Sequence, residues 1–381
     1  MISDYHSIVQ SGNQSFAYWL GRPEFDTVGL AEQKDDSLLG RPKTTLCQPE
    51  DENVRGLSDA LLRASTDDLF HALASDLHVT PAPFWPDGAP YAVCLTHDVD
   101  RIRQASYHRV MAGHGKKGKV GAIKVLFHRL SREQDPFFNF DRLRQYETDW
   151  NVRSAIYPLF EKRRCGRALL KGEIQHVLGV YDPFDVREQL CRFQADGWEI
   201  GLHGSLDAHK SQSALMNEMT KLRQLLHDPN VAFGIRNHYL QFNWHITPGI
   251  QLACHALYDS TMGFNFTCGF RCGTTFPFVI HDSNGKSLIE LPISVMDTAL
   301  KFSVPGREID VADRIADEVR KQGGLLMVNW HQRFCNRDTN PLMYNWVEKI
   351  ITRARADKAW IALPCDVARR WRERIEKVVI T

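Results

Sequence analysis

Within CLTHDVDR, Cys94 to Arg101, an apolar run gives way to His97, Asp98 and Asp100. In a strand, alternation turns Asp98 and Asp100 to one side and His97 to the other. The two carboxylates can then share a site while His97 packs or hydrogen-bonds behind it. Adjacent carboxylates both stay ionised at neutral pH only if a cation or donors compensate them. A divalent metal on one would leave its neighbour free to act as base; the plainer alternative is aspartate as a turn former. EIGLHGSLDAHKS brings His203, Asp207 and His209 close together. Imidazole nitrogen and carboxylate oxygen are ordinary zinc ligands, and a catalytic site keeps three protein ligands with one open position. If the segment is helical, Asp207 returns to the face of His203. If Gly204 and Ser205 open a loop, His209 competes with it, or simply stands in solvent beside Lys210.

These residues need elements to hold them. Apolar runs YAVCLTH, VRSAIYPL, WEIGLH, VAFGIR, LIELPISV, GLLMVNWH and AWIALP recur along the chain. Most are separated by helical spacing, as in DVREQLCRFQADG and LMNEMTKLRQLLHD. This is a βα repetition of parallel strands buried on both faces. Asp98 and Asp100 close the first run, His203 the third, Arg236 and His238 follow VAFGI, Asp297 follows LPISVM, and His331 ends LLMVNWH. Strand ends of a (β/α) barrel converge on one face, so the ionisable residues at these ends select a barrel over an open sheet.

At 381 residues the chain accommodates one large domain and an appendage. Residues 1–85 read as a polar, helical extension, with one amphipathic helix expected in LSDALLRASTDDLFHALASDL, and PAPFWPDGAP marks the boundary. Residues 86–381 read as the barrel. A formal charge of +1 gives no global pull toward nucleic acid. No basic, apolar leader is evident at the amino terminus, and no run approaches the roughly 20 apolar residues of a membrane span. Nine cysteines without a CxxC pair suit free thiols in a reducing compartment, so a cytoplasmic location is expected. Cys268 and Cys272 read as small buried residues more than as metal ligands.

The order of THDVD, the Gly and His stretch after FQADGWEIGLHG, GIRNHY, YDSTMGF, LPISVMD and MVNWH resembles the polysaccharide deacetylases, the NodB homology domains of carbohydrate esterase family 4. The resemblance spans about residues 90 to 375. It implies an α/β fold, a distorted (β/α) barrel. It implies Asp98 as catalytic base, Asp100 and His203 as metal ligands, and Arg236 as the residue orienting the base. His331 would be the general acid that protonates the leaving amine, with Asp297 as its partner. The implied cofactor is a divalent ion, usually zinc. The pattern departs from many members in three places: Val99 separates the aspartates, Asp207 stands where the second metal histidine is usual, and His238 stands where proline is common. The third ligand is thus left between Asp207 and His209.

Amide hydrolysis is coherent with these residue types, since a metal, a base and an acid supply the nucleophile, the charge and the proton it needs. A backbone amide near Tyr239 could complete an oxyanion pocket. The expected substrate is an N-acylated, most simply N-acetylated, amino sugar or glycan precursor of a bacterial surface polysaccharide. Deformylation, cyclic-amide hydrolysis and a metal-free glycan- or partner-binding barrel are the alternatives. The basic segment 101–132 could steer an anionic substrate or rest on an anionic membrane surface. Arg271 could contact a substrate anion, or serve a turn. Trp244, Phe264, Phe266, Phe270, Phe276 and Phe278 read mostly as core, and ARRWRERIEK as an exposed helix. The oligomeric state is open.

Overall fold

The computed structural model describes residues 59–76, 83–103, 135–161, 181–231 and 233–380. Most of the basic segment 101–132, from residue 104 onward, and most of residues 1–85 lie outside them. β1 (Ala92–Val99) is buried along its whole length. It pairs in parallel with β2 (Ala155–Pro158), with β10 (Leu325–Asn329) and, at its start, with β11 (Trp360–Ile361). Cover on both faces explains why this run is apolar without alternation until its carboxyl end.

The strands fall into two sheets, ordered β3-β2-β1-β10-β9 and β4-β5-β6-β8-β7. Two segments belong to both. β3 (Glu199–Ile200) pairs with β2, while β4 (Leu202–Gly204) pairs with β5 (Gly234–Asn237). Gly201 stands between them, where a side chain would overlap the Tyr157 ring. β8 (Ser287–Glu290) pairs with β6 (Tyr258–Asp259), and the Leu291 and Ile293 amides continue onto the Asp259 and Met262 carbonyls. The Ser294 amide then crosses to the Met327 carbonyl, and β9 (Val295–Met296) pairs with β10. Parallel strands therefore follow one another round a ring, β1, β2, β3/β4, β5, β6, β8/β9, β10 and back to β1. This is a distorted (β/α) barrel. β7 (Phe278–His281) lies outside the ring as an antiparallel partner of β8.

The helices are α1 (Ser65–Asp76), α2 (Phe140–Asp149), α3 (Arg187–Ala195), α4 (Gln212–Leu226), α5 (Thr247–Ala253), α6 (Asp297–Ser303), α7 (Glu308–Gln322), α8 (Pro341–Ala356) and α9 (Pro364–Ile380). α3 and α4 occupy the segments whose spacing predicts them. α4 buries Leu215, Met219, Leu222 and Leu226 at helical intervals, and Ser211 caps it by accepting from the Ala214 amide at 3.3 Å.

The single helix expected across residues 57–77 is instead a 3-10 turn, Asp59–Leu62, followed by α1. The barrel takes the intervening backbone groups: the Phe270 amide donates to Leu61 and the Thr66 amide to Gly273. Asp67 is buried at the start of α1, accepting from Thr274 Oγ1 at 2.6 Å and from the Thr275 amide at 2.7 Å. The last helix also differs from its expected exposed character. Trp371 of α9 is fully buried and stacks with Phe84 and Phe276. Mixed charge along ARRWRERIEK hides an apolar face at three- and four-residue spacing.

Free thiols at every cysteine are not what the structure holds. Cys272 is disulfide-bonded. Cys94, Cys191, Cys254, Cys268, Cys335 and Cys365 are free. Spacing along a chain does not report which thiols meet in space. Among the described residues no helix is long and apolar enough to cross a membrane.

Candidate active site

The carboxyl ends of β1, β4, β5, β9 and β10 bring together Asp98, Asp100, His203, Arg236, His238, Asp297 and His331. Alternation acts in β1 as the sequence predicts. Asp98 turns inward, while His97 turns away and is fully buried, with Nδ1 2.5 Å from the Trp330 carbonyl and Nε2 2.8 Å from Glu147 Oε1.

Asp98 is almost fully buried and held at both oxygens: Arg236 Nη1 donates to Oδ1 at 2.9 Å and Asn329 Nδ2 to Oδ2 at 2.6 Å. Burial pushes its pKa up, but the charge of Arg236, aided by His203 and His331, outweighs that and keeps the carboxyl below its ordinary range. Arg236 is itself inaccessible to solvent. Its other donors go to Thr96 Oγ1, the Ser260 carbonyl and Ser260 Oγ, each at 2.9 Å, and it lies 4.7 Å over the Tyr157 ring. Burial disfavours the guanidinium, yet Asp98 outweighs it, so the pair stays ionised. Behind Ser260, Asp259 and Glu290 are both fully buried. Burial, followed by the charge of Asp259, drives Glu290 far above the carboxylate range, so it carries a proton.

Asp100, His203 and His238 offer ligand atoms that all lie within 4.8 Å of one another. His203 Nδ1 is 2.7 Å from the Arg236 carbonyl, the tautomer-fixing bond that leaves the Nε2 lone pair facing inward. That Nε2 is 3.2 Å from Asp100 Oδ1, a buried oxygen without a hydrogen-bond donor. His238 Nδ1 is 3.5 Å from Glu161 Oε2. Burial is the largest influence on His238 and holds its pKa below the ordinary value, so its imidazole stays neutral and can donate a lone pair. At His203 burial also acts downward, but Asp98 and Asp100 outweigh it and raise the pKa, a sign that the site attracts positive charge. One carboxylate oxygen and two imidazole nitrogens around an orphaned buried oxygen fit a divalent cation of the zinc kind.

Asp207 and His209, expected as alternatives for the third ligand, fall outside this group. The helix that would return Asp207 to the face of His203 is absent: a strand end and a loop lead into a short 3-10 turn, Ala208–Lys210, and although that loop is the condition set for His209, its ring is not among the clustered ligand atoms. Asp207 has a side chain 48% exposed and 3.4 Å from Lys210. The His209 carbonyl accepts from Thr247 Oγ1 at 2.7 Å, tying that turn to α5. The ligand atom that stands with those of Asp100 and His203 is that of His238, two residues after Arg236. That period of two in GIRNHY is the signal in the sequence.

His331 sits across the site. Its Nδ1 is 2.5 Å from Asp297 Oδ1, its backbone amide donates to Asp297 Oδ2 at 2.9 Å, and its Nε2 is 3.5 Å from Asp100 Oδ2. Arg333 was not anticipated: its guanidinium bonds Asp100 Oδ2 and lies 4.8 Å over the Phe334 ring. Burial acts to raise Asp100, yet Arg333 and His331 hold its carboxyl well below the usual range. Tyr239 and Leu240, beside His238, adopt φ of 55° and 51°, a left-handed pair that is costly for such side chains and recurrent at functional sites. Arg271 donates to the Gly263 carbonyl at 2.9 Å, a role inside its turn. Phe264, Phe270, Phe276 and Phe278 are buried, as expected of core rings.

No protein-family model matches this chain, and no curated protein does. Solved structures do. A protein of Mycobacterium smegmatis assigned as a polysaccharide deacetylase is 20% identical, with 76% of this chain and 93% of that one covered, at a TM-score of 0.50. Puue allantoinase is 14% identical over 77% of this chain and 94% of its own, also at 0.50. A Pseudomonas aeruginosa PAO1 protein assigned as a polysaccharide deacetylase is 16% identical over 79% and 97%, at 0.48. The fold of this chain is that of the polysaccharide deacetylases.

Proposed function

From the polysaccharide-deacetylase fold as premise, we propose that this chain is a divalent-metal-dependent hydrolase that removes an N-acyl group, most simply acetyl, from an amino sugar. The observation that carries this reading is a buried carboxylate and an imidazole that each lie within about 4 Å of one ligand cluster. Asp98 Oδ2 lies 4.0 Å from His203 Nε2, and His331 Nε2 lies 3.5 Å from Asp100 Oδ2. Asp100, His203 and His238 would hold the cation. When bound, it supplies positive charge that polarises the acyl carbonyl and lets water act as a nucleophile near neutral pH.

The residues of the chain do the proton work. Asp98, kept ionised by Arg236 and oriented by Asn329, takes the proton of the attacking water as the C–O bond forms. His331, its Nδ1 held on Asp297, gives an Nε2 proton to the nitrogen as the C–N bond breaks. The products are a carboxylic acid and a free amine. Ser260, its hydroxyl donating to the Leu291 carbonyl, accepts from Arg236 at both its carbonyl and its Oγ and keeps the guanidinium on Asp98.

The setting we infer is a precursor of a bacterial surface polysaccharide, handled in the cytoplasm with zinc as the ion. The free described thiols favour a reducing compartment, and the disulfide at Cys272 argues the other way. A second reading, hydrolysis of a cyclic amide, draws on the likeness to the allantoinase structure.

Mass spectrometry tests both readings, following release of amine from the acylated amino sugars and the gain of one water by a ring-opened cyclic amide. The substrates are acylated amino sugars in free, nucleotide-linked and lipid-linked form, beside a cyclic amide. Asp98→Asn is expected to lower turnover by about 10²–10⁴ with metal content unchanged, and His331→Ala to lose turnover more than metal. Full turnover in Asp98→Asn would remove the base assignment. Absence of hydrolysis of every substrate, by either readout, would remove the hydrolase.

A further inference from the structure

A cavity of about 390 Å³ has Asp297 and Arg333 in its wall. Both touch the site: Asp297 holds His331 and Arg333 holds Asp100. Beyond them the wall carries Leu300 of α6, Ile309 of α7, Leu342 and Met343 of α8 and the rings of Phe137 and Phe334, with Glu308, Thr339 and Asn340 as its further polar members. The two rings meet edge to face at 6.2 Å. Lys301 stands at the cavity with its Nζ 5.8 Å from the Phe334 ring. An acetyl methyl would leave most of this space empty, since the volume lies in the range that accepts a drug-sized ligand.

The surface round it carries the same character. Leu342 is 61% exposed although it lines the cavity, and Phe302 of α6 is 65% exposed close by in sequence to Leu300. Large apolar side chains left in water on two helices that wall one cavity cost free energy until something apolar covers them.

We propose that this cavity binds an apolar group of the substrate larger than acetyl. The group is a hydrocarbon chain carried either on the acyl side or on the amine side of the amide. The inference rests on the hydrolase reading for its link to catalysis, and on the cavity alone for binding. Arg333 then has two duties, one on Asp100 and one as the polar floor over which the apolar group enters. The acyl-chain case makes the protein an N-acyl hydrolase of longer amides; the amine-side case gives it a glycan precursor with a lipid-like substituent.

Calorimetric titration of the full chain tests this with defined probes: the methyl glycoside of N-acetylglucosamine, its hexyl glycoside, and methyl N-hexanoylglucosaminide. At least one hexyl probe is expected to bind about tenfold or more tightly than the methyl parent. Leu342→Glu, at a position exposed enough to accept charge, is expected to collapse that ratio toward one. Which probe gains tells which side of the amide enters. Equal affinities for all probes, or a ratio unmoved in Leu342→Glu, would overturn the proposal. Amine release is read on the same probes. Binding that follows the pattern without any cleavage keeps the cavity and removes the hydrolase, whereas cleavage of the parent with no hexyl preference does the reverse.

Discussion

At the scale of single residues, the site is a set of charges that would be intolerable apart. Asp98 and Arg236 are both buried, and each is ionised because the other is there. His203 is oriented by a carbonyl and His331 by a carboxylate, so the two imidazoles differ in the charge of the partner that fixes them. The ligand set gives a direct prediction. His238→Ala should weaken zinc binding by about 10-fold or more in chelator competition, while Asp207→Ala, at a side chain turned toward solvent, should leave it within about twofold. The opposite order would restore Asp207 as the ligand. The sequence marked Asp98, Asp100, His203, Arg236, His238, Asp297 and His331 as strand-end residues, without naming His238 as a ligand. It did not mark Arg333, because the partner that gives Arg333 meaning, Asp100, is remote in the chain.

At the scale of elements, α1 shows how a segment outside the barrel is fastened to it. Burial raises the pKa of Asp67 to about 7, against the pull of its Thr274 and Thr275 hydrogen bonds. Its folded pKa thus stands above the value near 3.8 of an unperturbed aspartate. The stability it contributes is complete below that value and is lost as pH rises through about 7. Asp67→Asn, which mimics the protonated form, should flatten this dependence. Denaturant unfolding of the wild type should lose on the order of a few kcal/mol relative to Asp67→Asn between pH 4 and 8. Parallel curves for the two proteins would mean that Asp67 stays charged in its pocket. A helix was legible here from its apolar spacing, but its break after Leu62 was not. The backbone bonds from Phe270 to Leu61 and from Thr66 to Gly273 are tertiary and override local preference.

At the scale of the whole molecule, the ligand cluster straddles both sheets. Asp100 follows β1 in one, while His203 and His238 lie at the ends of β4 and β5 in the other. An ion bound only by the folded chain would tie the sheets together and stabilise by mass action, about 2.7 kcal/mol at a hundredfold excess over Kd. Zinc added to chelator-treated protein should therefore raise Tm in the wild type and not in Asp100→Ala; an equal rise in both would place the ion elsewhere. The sequence by itself determined the parallel strands, their order of appearance and the residues at their ends. Alternation, helical spacing and burial of apolar runs are local properties written residue by residue. Only the tertiary structure decided that the segments Glu199–Gly204 and Ser287–Met296 change sheets and close the ring, that His238 replaces Asp207 beside His203, and that Arg333 reaches Asp100. Each of these depends on distances between residues far apart in the chain, which are set by how the sheets curve and pack, and no periodicity records that.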